Sequence, residues 1–221
     1  MFIETGQCRL YVQIQGQGQQ LILVHGNGEN HHIFDEAAEL LQKHFTVITV
    51  DSRCHGLSQK DLPVSYDLMA QDMINLMEIL HLDHPVYYGF SDGGIIGLLI
   101  AIRQPHLLSR LIISGANLEP SGLKSAFLWQ SRIENLIHPD PLTELMLKQP
   151  HIPLSQLRKI SIPVHVLAAE KDLIRKKHTC TIAANIPDST LDIIPGHDHG
   201  SYIVHNPMLA GILKKFCQIR Q

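Results

Sequence analysis

The sequence predicts an α/β protein in which a mostly parallel sheet is flanked by helices on both faces. Short apolar runs bounded by turn residues alternate along the chain with segments of helical periodicity. This alternation is typical of parallel sheets, because the crossover helices between successive strands cover both faces. At 221 residues the chain is long enough for one domain, which buries roughly 70% of the surface that the unfolded chain exposes.

Six apolar runs have the length and composition of buried strands. They cover residues 21–24, 45–50, 86–90, 111–114, 164–168 and 190–194. Residues 9–14 alternate apolar and polar side chains instead, and this pattern predicts an exposed antiparallel edge strand. Helical spacing predicts helices over residues 35–43, 66–80, 93–103, 177–185 and 207–216.

The interval from Asn117 to Ser161 contains no strand-like run. Prolines at positions 120, 139, 141, 150 and 153 divide it into short segments that are predicted to be helical. An insertion of about 40 residues at this place predicts a small cap over the carboxyl ends of the strands, where ligands of open α/β sheets bind. We therefore expect a single domain over residues 1–221 with a cap insertion at about 117–161.

The apolar residues of this insertion have two possible positions. They face a substrate, or they pack the cap against the rest of the protein, which is the ordinary position of an apolar side chain. The residues concerned are Phe127, Leu128, Trp129, Ile133, Leu136, Leu142, Leu145 and Met146.

Charge and hydropathy exclude nucleic-acid-binding and membrane-spanning classes. The formal net charge is −3, whereas nucleic-acid-binding domains usually carry a clustered basic face. No stretch reaches the roughly 18 apolar residues of a membrane span, and the first residues lack the charged start and apolar core of a signal peptide. We expect a cytoplasmic protein, and the sequence does not indicate its oligomeric state.

Fifteen histidines and four cysteines raise the question of a metal site. Neither H-x-H-x-D-H nor H-E-x-x-H occurs, and we interpret His31 and His32 as polar loop residues. The cysteines are scattered without a C-x-x-C pair, which predicts reduced thiols at Cys8, Cys54, Cys180 and Cys217. We expect no metal and no other cofactor.

A glycine-rich turn between a predicted strand and a predicted helix carries the candidate nucleophile, Ser91. The run G-F-S-D-G-G at 89–94 fits G-x-S-x-G in the strand, turn and helix context that this motif requires. The glycines let the backbone turn tightly, so that the Ser91 hydroxyl is exposed. The helix that follows directs backbone N–H groups at developing negative charge. Alone, this short motif also fits an ordinary glycine turn.

A serine hydroxyl needs a base to take its proton, and that base needs a third group to orient it. Asp172 follows a predicted strand, with Glu170 as the alternative acid. The last predicted strand leads into the loop P-G-H-D-H-G-S, in which His197 and His199 compete to be the base. They are two residues apart and should point in different directions, so that only one reaches Ser91.

A second glycine turn supplies a candidate oxyanion hole. The run H-G-N-G at 25–28 follows the first predicted buried strand. The backbone N–H of Asn27 can therefore pair with that of Asp92, the residue after the nucleophile, to hold the oxyanion of a tetrahedral intermediate.

Together these residues resemble the α/β-hydrolase fold family, over essentially the whole chain outside the cap. A further mark is D-S-R-C-H-G-L-S at 51–58, which is similar to the family's D-x-R-G-H-G-x-S turn. Cys54 stands where glycine is usual in that turn. This departure affects the backbone of the turn, and we expect an inert thiol there rather than a reactive one.

The resemblance also favours His199 as the base. The form G-x-x-H followed by Ser-Tyr is similar to a variant found in smaller family members, and the separation of His199 from Pro207 is nearer the usual one than that of His197. Serine as the nucleophile disfavours the dehalogenase and epoxide-hydrolase members, which attack with aspartate. The resemblance implies the catalytic residues Ser91, Asp172 and His199, with the N–H groups of Asn27 and Asp92 as oxyanion hole.

These residues predict a serine hydrolase that acts on a small-molecule acyl substrate. The most direct form is a carboxylester hydrolase for small to medium acyl groups, working through an acyl-serine intermediate. The same residues fit a carbon–carbon bond hydrolase or an acyltransferase. The fold also permits a non-catalytic ligand receptor, although the intact Ser91, Asp172 and His199 argue against that function.

Overall fold

The computed structural model describes residues 1–217, which form an eight-stranded sheet with helices packed on both faces. The strands are β1 (Phe2–Glu4), β2 (Arg9–Gln15), β3 (Gln19–Val24), β4 (Phe45–Asp51), β5 (Val86–Phe90), β6 (Arg110–Ser114), β7 (Val164–Lys171) and β8 (Ser189–Asp198). The helices are α1 (Asp35–Leu41), α2 (Tyr66–Ile79), α3 (Asp92–Arg103), α4 (Ser125–Ile137), α5 (Pro141–Lys148), α6 (Leu154–Leu157), α7 (Lys176–Asn185) and α8 (Met208–Phe216).

The order of strands in the sheet is β1-β2-β4-β3-β5-β6-β7-β8. Neighbours from β4 to β8 are parallel, whereas β2 is antiparallel to both β1 and β4. The predicted mostly parallel sheet is thus confirmed. The prediction that residues 9–14 form an edge strand is wrong, because β2 lies between β1 and β4. The edge is β1, whose three residues are too few to show a periodic pattern.

The core has two apolar layers because successive side chains of a strand point to opposite faces of the sheet. In β3, Ile22 belongs to the layer that packs under α2 and α3, and Leu23 belongs to the layer that packs under α1 and α8. Every residue of β5 is buried. Ser91, the candidate nucleophile, directly follows this central strand. The turn that carries Ser91 is therefore anchored in the packed core.

The strand β8 is longer than predicted. It continues to Asp198, which pairs with Lys171 beyond a register irregularity in β7. His199 therefore comes directly after a strand, whereas the sequence predicts a loop from Pro195 onward. Because β8 is paired with β7 as far as Asp198, the backbone just before His199 is held in place. This limits the positions that the His199 side chain can take.

A buried carboxylate holds the turn that follows β4. Asp51 Oδ1 accepts the backbone N–H of His31 at 2.7 Å and lies 2.7 Å from the ring Nδ1, while Oδ2 accepts the N–H of Leu57. The interpretation of His31 as a polar loop residue is therefore wrong, since it is buried; His32 is exposed. Cys54 adopts φ 64°, so the turn keeps the left-handed conformation that glycine takes easily.

A buried ion pair joins this turn to α2. Arg53 donates to both oxygens of Asp72, at 2.7 and 2.8 Å. Asp72→Asn leaves the guanidinium without its counter-charge, and we expect the free energy of unfolding in urea to fall by about 3–5 kcal/mol. The control is Asp67→Asn, which affects an exposed pair with Arg103 and should cost less than about 1 kcal/mol. Equal losses of unfolding free energy in the two variants would show that the buried pair stabilises the fold no more than the exposed pair does.

Candidate active site

Four parallel strands bring the predicted site residues to one edge of the sheet. Asn27 lies just beyond β3, Ser91 directly follows β5, Asp172 directly follows β7 and His199 directly follows β8. Because the carboxyl ends of parallel strands meet at the same edge, residues far apart in the sequence become neighbours there.

The turn that carries Ser91 is tight and strained. Ser91 has φ 51° and ψ −111°, outside the regions that L-residues normally occupy. A Cβ atom at Gly89 would lie 2.1 Å from the carbonyl oxygen of Gly93, and one at Gly93 would lie 2.2 Å from that of Val24. Only glycine fits at both positions. The Ser91 N–H donates to Ser114 O at 2.7 Å, which helps to hold the strained residue.

Ser91, His199 and Asp172 form a continuous chain of hydrogen bonds. His199 Nε2 lies 3.2 Å from Ser91 Oγ, and His199 Nδ1 lies 2.6 Å from Asp172 Oδ1. An ionised carboxylate only accepts, so the neutral ring carries its proton on Nδ1 and presents Nε2 as the acceptor for the serine hydroxyl. This arrangement can move a proton from Ser91 to His199 while the imidazolium stays paired with a carboxylate.

The Asp172 carboxylate is built to stay ionised. Burial alone would raise its pKa, but the hydrogen bond and the charge of His199, together with two backbone donors, outweigh burial. The N–H groups of Ile174 and Ala169 also donate to the carboxylate, at 2.9 and 3.0 Å. The pKa of Asp172 therefore lies below its ordinary value.

The two alternative residues make other contacts. His197 Nδ1 lies 3.1 Å from Ser201 Oγ, and Glu170 accepts the backbone N–H of Gly196 at 2.7 Å. Neither joins the hydrogen-bonded chain of Ser91. The structure thus brings His199 and Asp172 to Ser91, the candidate nucleophile, and it does not bring His197 or Glu170 there.

The predicted oxyanion donors lie on the two turns that meet at Ser91. Gly93 N–H donates to His25 O at 3.1 Å and ties these turns together. Within residues 1–217, the backbone N–H groups of Asn27 and Asp92 make no hydrogen bond to the protein. Both residues line the cavity in front of Ser91. Their N–H groups are therefore free for a ligand, and the oxyanion role stays a prediction.

A cavity of about 290 Å³ opens between Ser91 and the predicted cap segment, residues 117–161. Its walls combine strand-end residues with side chains of α4 and α5. The eight apolar residues named for this segment divide four ways. Phe127 and Met146 line the cavity, Leu128 and Leu145 are buried, Leu142 is half-buried, and Trp129, Ile133 and Leu136 are exposed. Neither possibility, facing a substrate or packing against the rest of the protein, therefore holds for all of these residues.

The model of one protein family, described as the alpha/beta hydrolase fold, matches residues 20–136, just over half of the chain. The chain belongs to this family. Among solved structures, a hydrolase from Pseudomonas aeruginosa PA01 has a TM-score of 0.80 at 22% identity, covering 98% of this chain and 97% of that one. At this identity the likeness shows the common fold.

Curated relatives in the family include esterases and other hydrolases. A pimeloyl-[acyl-carrier protein] methyl ester esterase from Vibrio cholerae is 33% identical over 103 residues, 47% of this chain and 39% of that protein. Serine hydrolase BPHL from Homo sapiens is 26% identical over 234 residues, 91% of this chain and 80% of that protein. The match to the first of these spans less than half of the relative's length.

Two residues of the site carried no clear signal in the sequence. Glu29 lines the cavity, its carboxylate accepts the N–H of Gly26 at 2.8 Å, and burial raises its pKa. Nothing distinguishes it in sequence from a solvated loop glutamate. Gly115 has φ +62°, and a Cβ there would lie 2.5 Å from His199 Cε1. Gly115 directly follows a predicted strand, but a glycine at such a place is common and did not by itself indicate a site residue.

A second cavity, of about 500 Å³, lies between the predicted cap segment and the start of α7. Arg175, Lys177 and His178 line it, and Ser91 does not. Within residues 1–217, no group of three or more histidine, cysteine or acidic side chains is placed to hold a metal ion. In the same residues, no helix has the length and hydropathy to cross a membrane.

Proposed function

We propose that the protein is a carboxylester hydrolase that cleaves esters of small to medium acyl groups through an acyl-serine intermediate. The observation that carries this proposal is the hydrogen-bonded chain from Ser91 through His199 to Asp172, which opens into a 290 Å³ cavity. A nucleophile, a base and an orienting acid at these distances are the requirements for acyl transfer to serine.

In the acylation step, His199 Nε2 takes the proton of Ser91 as Oγ attacks the ester carbonyl carbon. The negative charge that develops on the carbonyl oxygen is held by the backbone N–H groups of Asn27 and Asp92. Asp172 stabilises the imidazolium during this step. His199 then gives its proton to the departing alkoxide, so the alcohol leaves and the acyl group stays on Ser91.

Deacylation repeats the sequence with water as the nucleophile. His199 removes a proton from water, the hydroxide attacks the acyl carbon, and the same two N–H groups hold the second oxyanion. Collapse of this intermediate breaks the bond to Ser91 Oγ, which recovers its proton from His199. The carboxylic acid is released and the free enzyme is restored.

The family relationship supports this function at a coarse level. The curated relatives include a methyl ester esterase and a serine hydrolase. Those names describe the relatives, and we transfer to this chain only the use of a serine nucleophile on a carbonyl substrate. A carbon–carbon hydrolase and an acyltransferase use the same residues, so product analysis belongs in the test.

The test is hydrolysis of p-nitrophenyl esters from acetyl to decanoyl by the purified protein, with Ser91→Ala as the control. We expect release of p-nitrophenol above the control and covalent labelling of Ser91 by a fluorophosphonate probe. A folded protein that neither cleaves these esters nor reacts with the probe would contradict the proposal and favour a receptor. Formation of a thioester when a thiol is added would indicate acyl transfer instead.

The charges of the cavity predict a preference for uncharged acyl groups. Glu29, Asp92 and Glu134 line it, and no lysine or arginine among residues 1–217 does. A second carboxylate on the acyl chain would lose hydration there without gaining a cationic partner. We expect kcat/KM for methyl valerate to exceed that for monomethyl glutarate by at least roughly tenfold, or about 1.4 kcal/mol, measured as methanol release at neutral pH.

A charge-reversal pair tests the cause of this preference. Glu134→Lys places a cation at the cavity. It should reduce the ratio of kcat/KM for methyl valerate to kcat/KM for monomethyl glutarate. Glu144→Lys makes the same change on α5 outside this cavity and should leave the ratio unchanged. Equal rates for the two esters in the wild-type protein would refute the preference.

A further inference from the structure

The carboxylate beside the nucleophile has no place in the proton transfers of the proposed mechanism. Asp92 is 3% exposed and directly follows Ser91. Its Oδ1 accepts the Tyr66 hydroxyl at 2.7 Å, and its Oδ2 accepts the side-chain amide of Asn27 at 2.9 Å. Both oxygens are therefore held by donors. A buried acidic side chain at this position requires a specific use, because burial of a charge is costly.

The amide of Asn27 extends this contact to the predicted cap. Its Nδ2 also donates to Leu142 O in α5, at 3.0 Å, so both of its N–H bonds are used. At the far end of α5, Gln149 Oε1 accepts the backbone N–H of Tyr66 at 3.4 Å. One network thus connects both turns of the site with α2 and with α5.

The carboxylate form of Asp92 suits these partners. Burial raises the pKa of Asp92 above its ordinary value, and the hydrogen bonds from Asn27 and Tyr66 offset this only in part. Both partners are donors, so a side chain that only accepts satisfies them together. The Tyr66 hydroxyl can also accept, so an amide at this position could keep both contacts, whereas an apolar side chain would lose both.

We propose that the Asp92 side chain is a positioning residue that holds its own backbone N–H and that of Asn27 at the spacing needed to bind an oxyanion, and that couples this spacing to α5. The inference rests on the proposed function, because it assigns these two N–H groups to the oxyanion. Donors stabilise a transition state only when they lie about 2.7–3.1 Å from the position of the oxyanion. Movement of either turn would therefore lower kcat.

The variants Asp92→Ala and Asn27→Ala remove the side-chain contact and keep both backbone donors. We expect each to lower kcat by roughly 10- to 100-fold, near the effect of losing one oxyanion donor. KM should change by less than about threefold. Because the two side chains act as one unit, the double variant should lose no more than the worse single variant. Asp188→Ala, at an exposed position, is the matched control.

A pair of ligands separates positioning from general damage. A trifluoromethyl ketone forms an oxyanion when Ser91 Oγ adds to its carbonyl, whereas the corresponding methyl ketone binds without this addition. Affinity for the trifluoromethyl ketone should fall in both variants by about the factor lost in kcat/KM. Affinity for the methyl ketone should stay within about threefold of wild type. A variant that merely destabilised the fold would not produce this difference between the ligands.

Hydrogen exchange tests the coupling to α5 without any turnover. Amides of α5 (Pro141–Lys148) should exchange faster in Asn27→Ala and Asp92→Ala than in wild type, while those of α8 (Met208–Phe216) should not change. Absence of esterase activity in the wild type would overturn the proposed function, and the exchange data would still test the coupling. Three results would each overturn the positioning role. They are unchanged exchange in α5, kinetic losses that add in the double variant, and, in an active enzyme, variants whose affinity for the trifluoromethyl ketone stays within about threefold of wild type.

Discussion

His199→Ala is expected to lower kcat toward a p-nitrophenyl ester by roughly 10⁶-fold, because Ser91 then has no base. In contrast, His197→Ala should leave kcat within about threefold of wild type. The difference follows from geometry, since His199 Nε2 lies 3.2 Å from Ser91 Oγ and His197 contacts Ser201 instead. The two histidines are two residues apart, so the pair forms a matched comparison within one segment.

The measurement needs protection from contaminating esterases, because a residual rate of one part in a million is easily exceeded by impurities. Titration of serine active sites with a fluorophosphonate, before and after purification from the same host, measures how much contaminating esterase each preparation contains. Thermal unfolding of both variants checks that the fold is intact. A large loss in His197→Ala with a near-normal rate in His199→Ala would reverse the assignment of the base.

The fold was largely readable from the sequence because its central strands are buried on both faces. Runs such as β5 carry no polar residue that competes with a strand assignment, and their alternation with helices leaves few topologies. The edge was not readable. β1 has three residues and is recognisable only by its pairing with β2, because three residues are too few to show a periodic pattern.

The candidate site divides in the same way. Ser91 and Asp172 stand at the ends of predicted strands, so topology alone places them together. The choice between His197 and His199 depended on the resemblance, because β8 extends farther than its apolar run. The contact of Tyr66 with Asp92 joins α2 to the nucleophile turn. No spacing in the sequence indicates it, because both residues are ordinary at their own positions.

Asp172→Asn is expected to lower kcat by roughly 10⁴-fold with the fold intact. An asparagine amide at this position donates toward His199 Nδ1, so the ring is stabilised in the tautomer that carries its proton on Nε2. That tautomer cannot accept the proton of Ser91. The matched control is Glu170→Gln, since Glu170 accepts only from Gly196 N–H, and its rate should stay within about threefold of wild type.

The low pKa of Asp172 adds a dependence on pH to this prediction. A carboxylate whose pKa is lowered by folding stabilises the native state fully above its unfolded value of about 3.9. This contribution is lost as the pH falls through the lower value of the folded state. The stability cost of Asp172→Asn, measured by urea unfolding, should therefore be largest near neutral pH and shrink on acidification. A cost that does not change with pH, or a near-normal rate in Asp172→Asn beside a large loss in Glu170→Gln, would move the acid to Glu170.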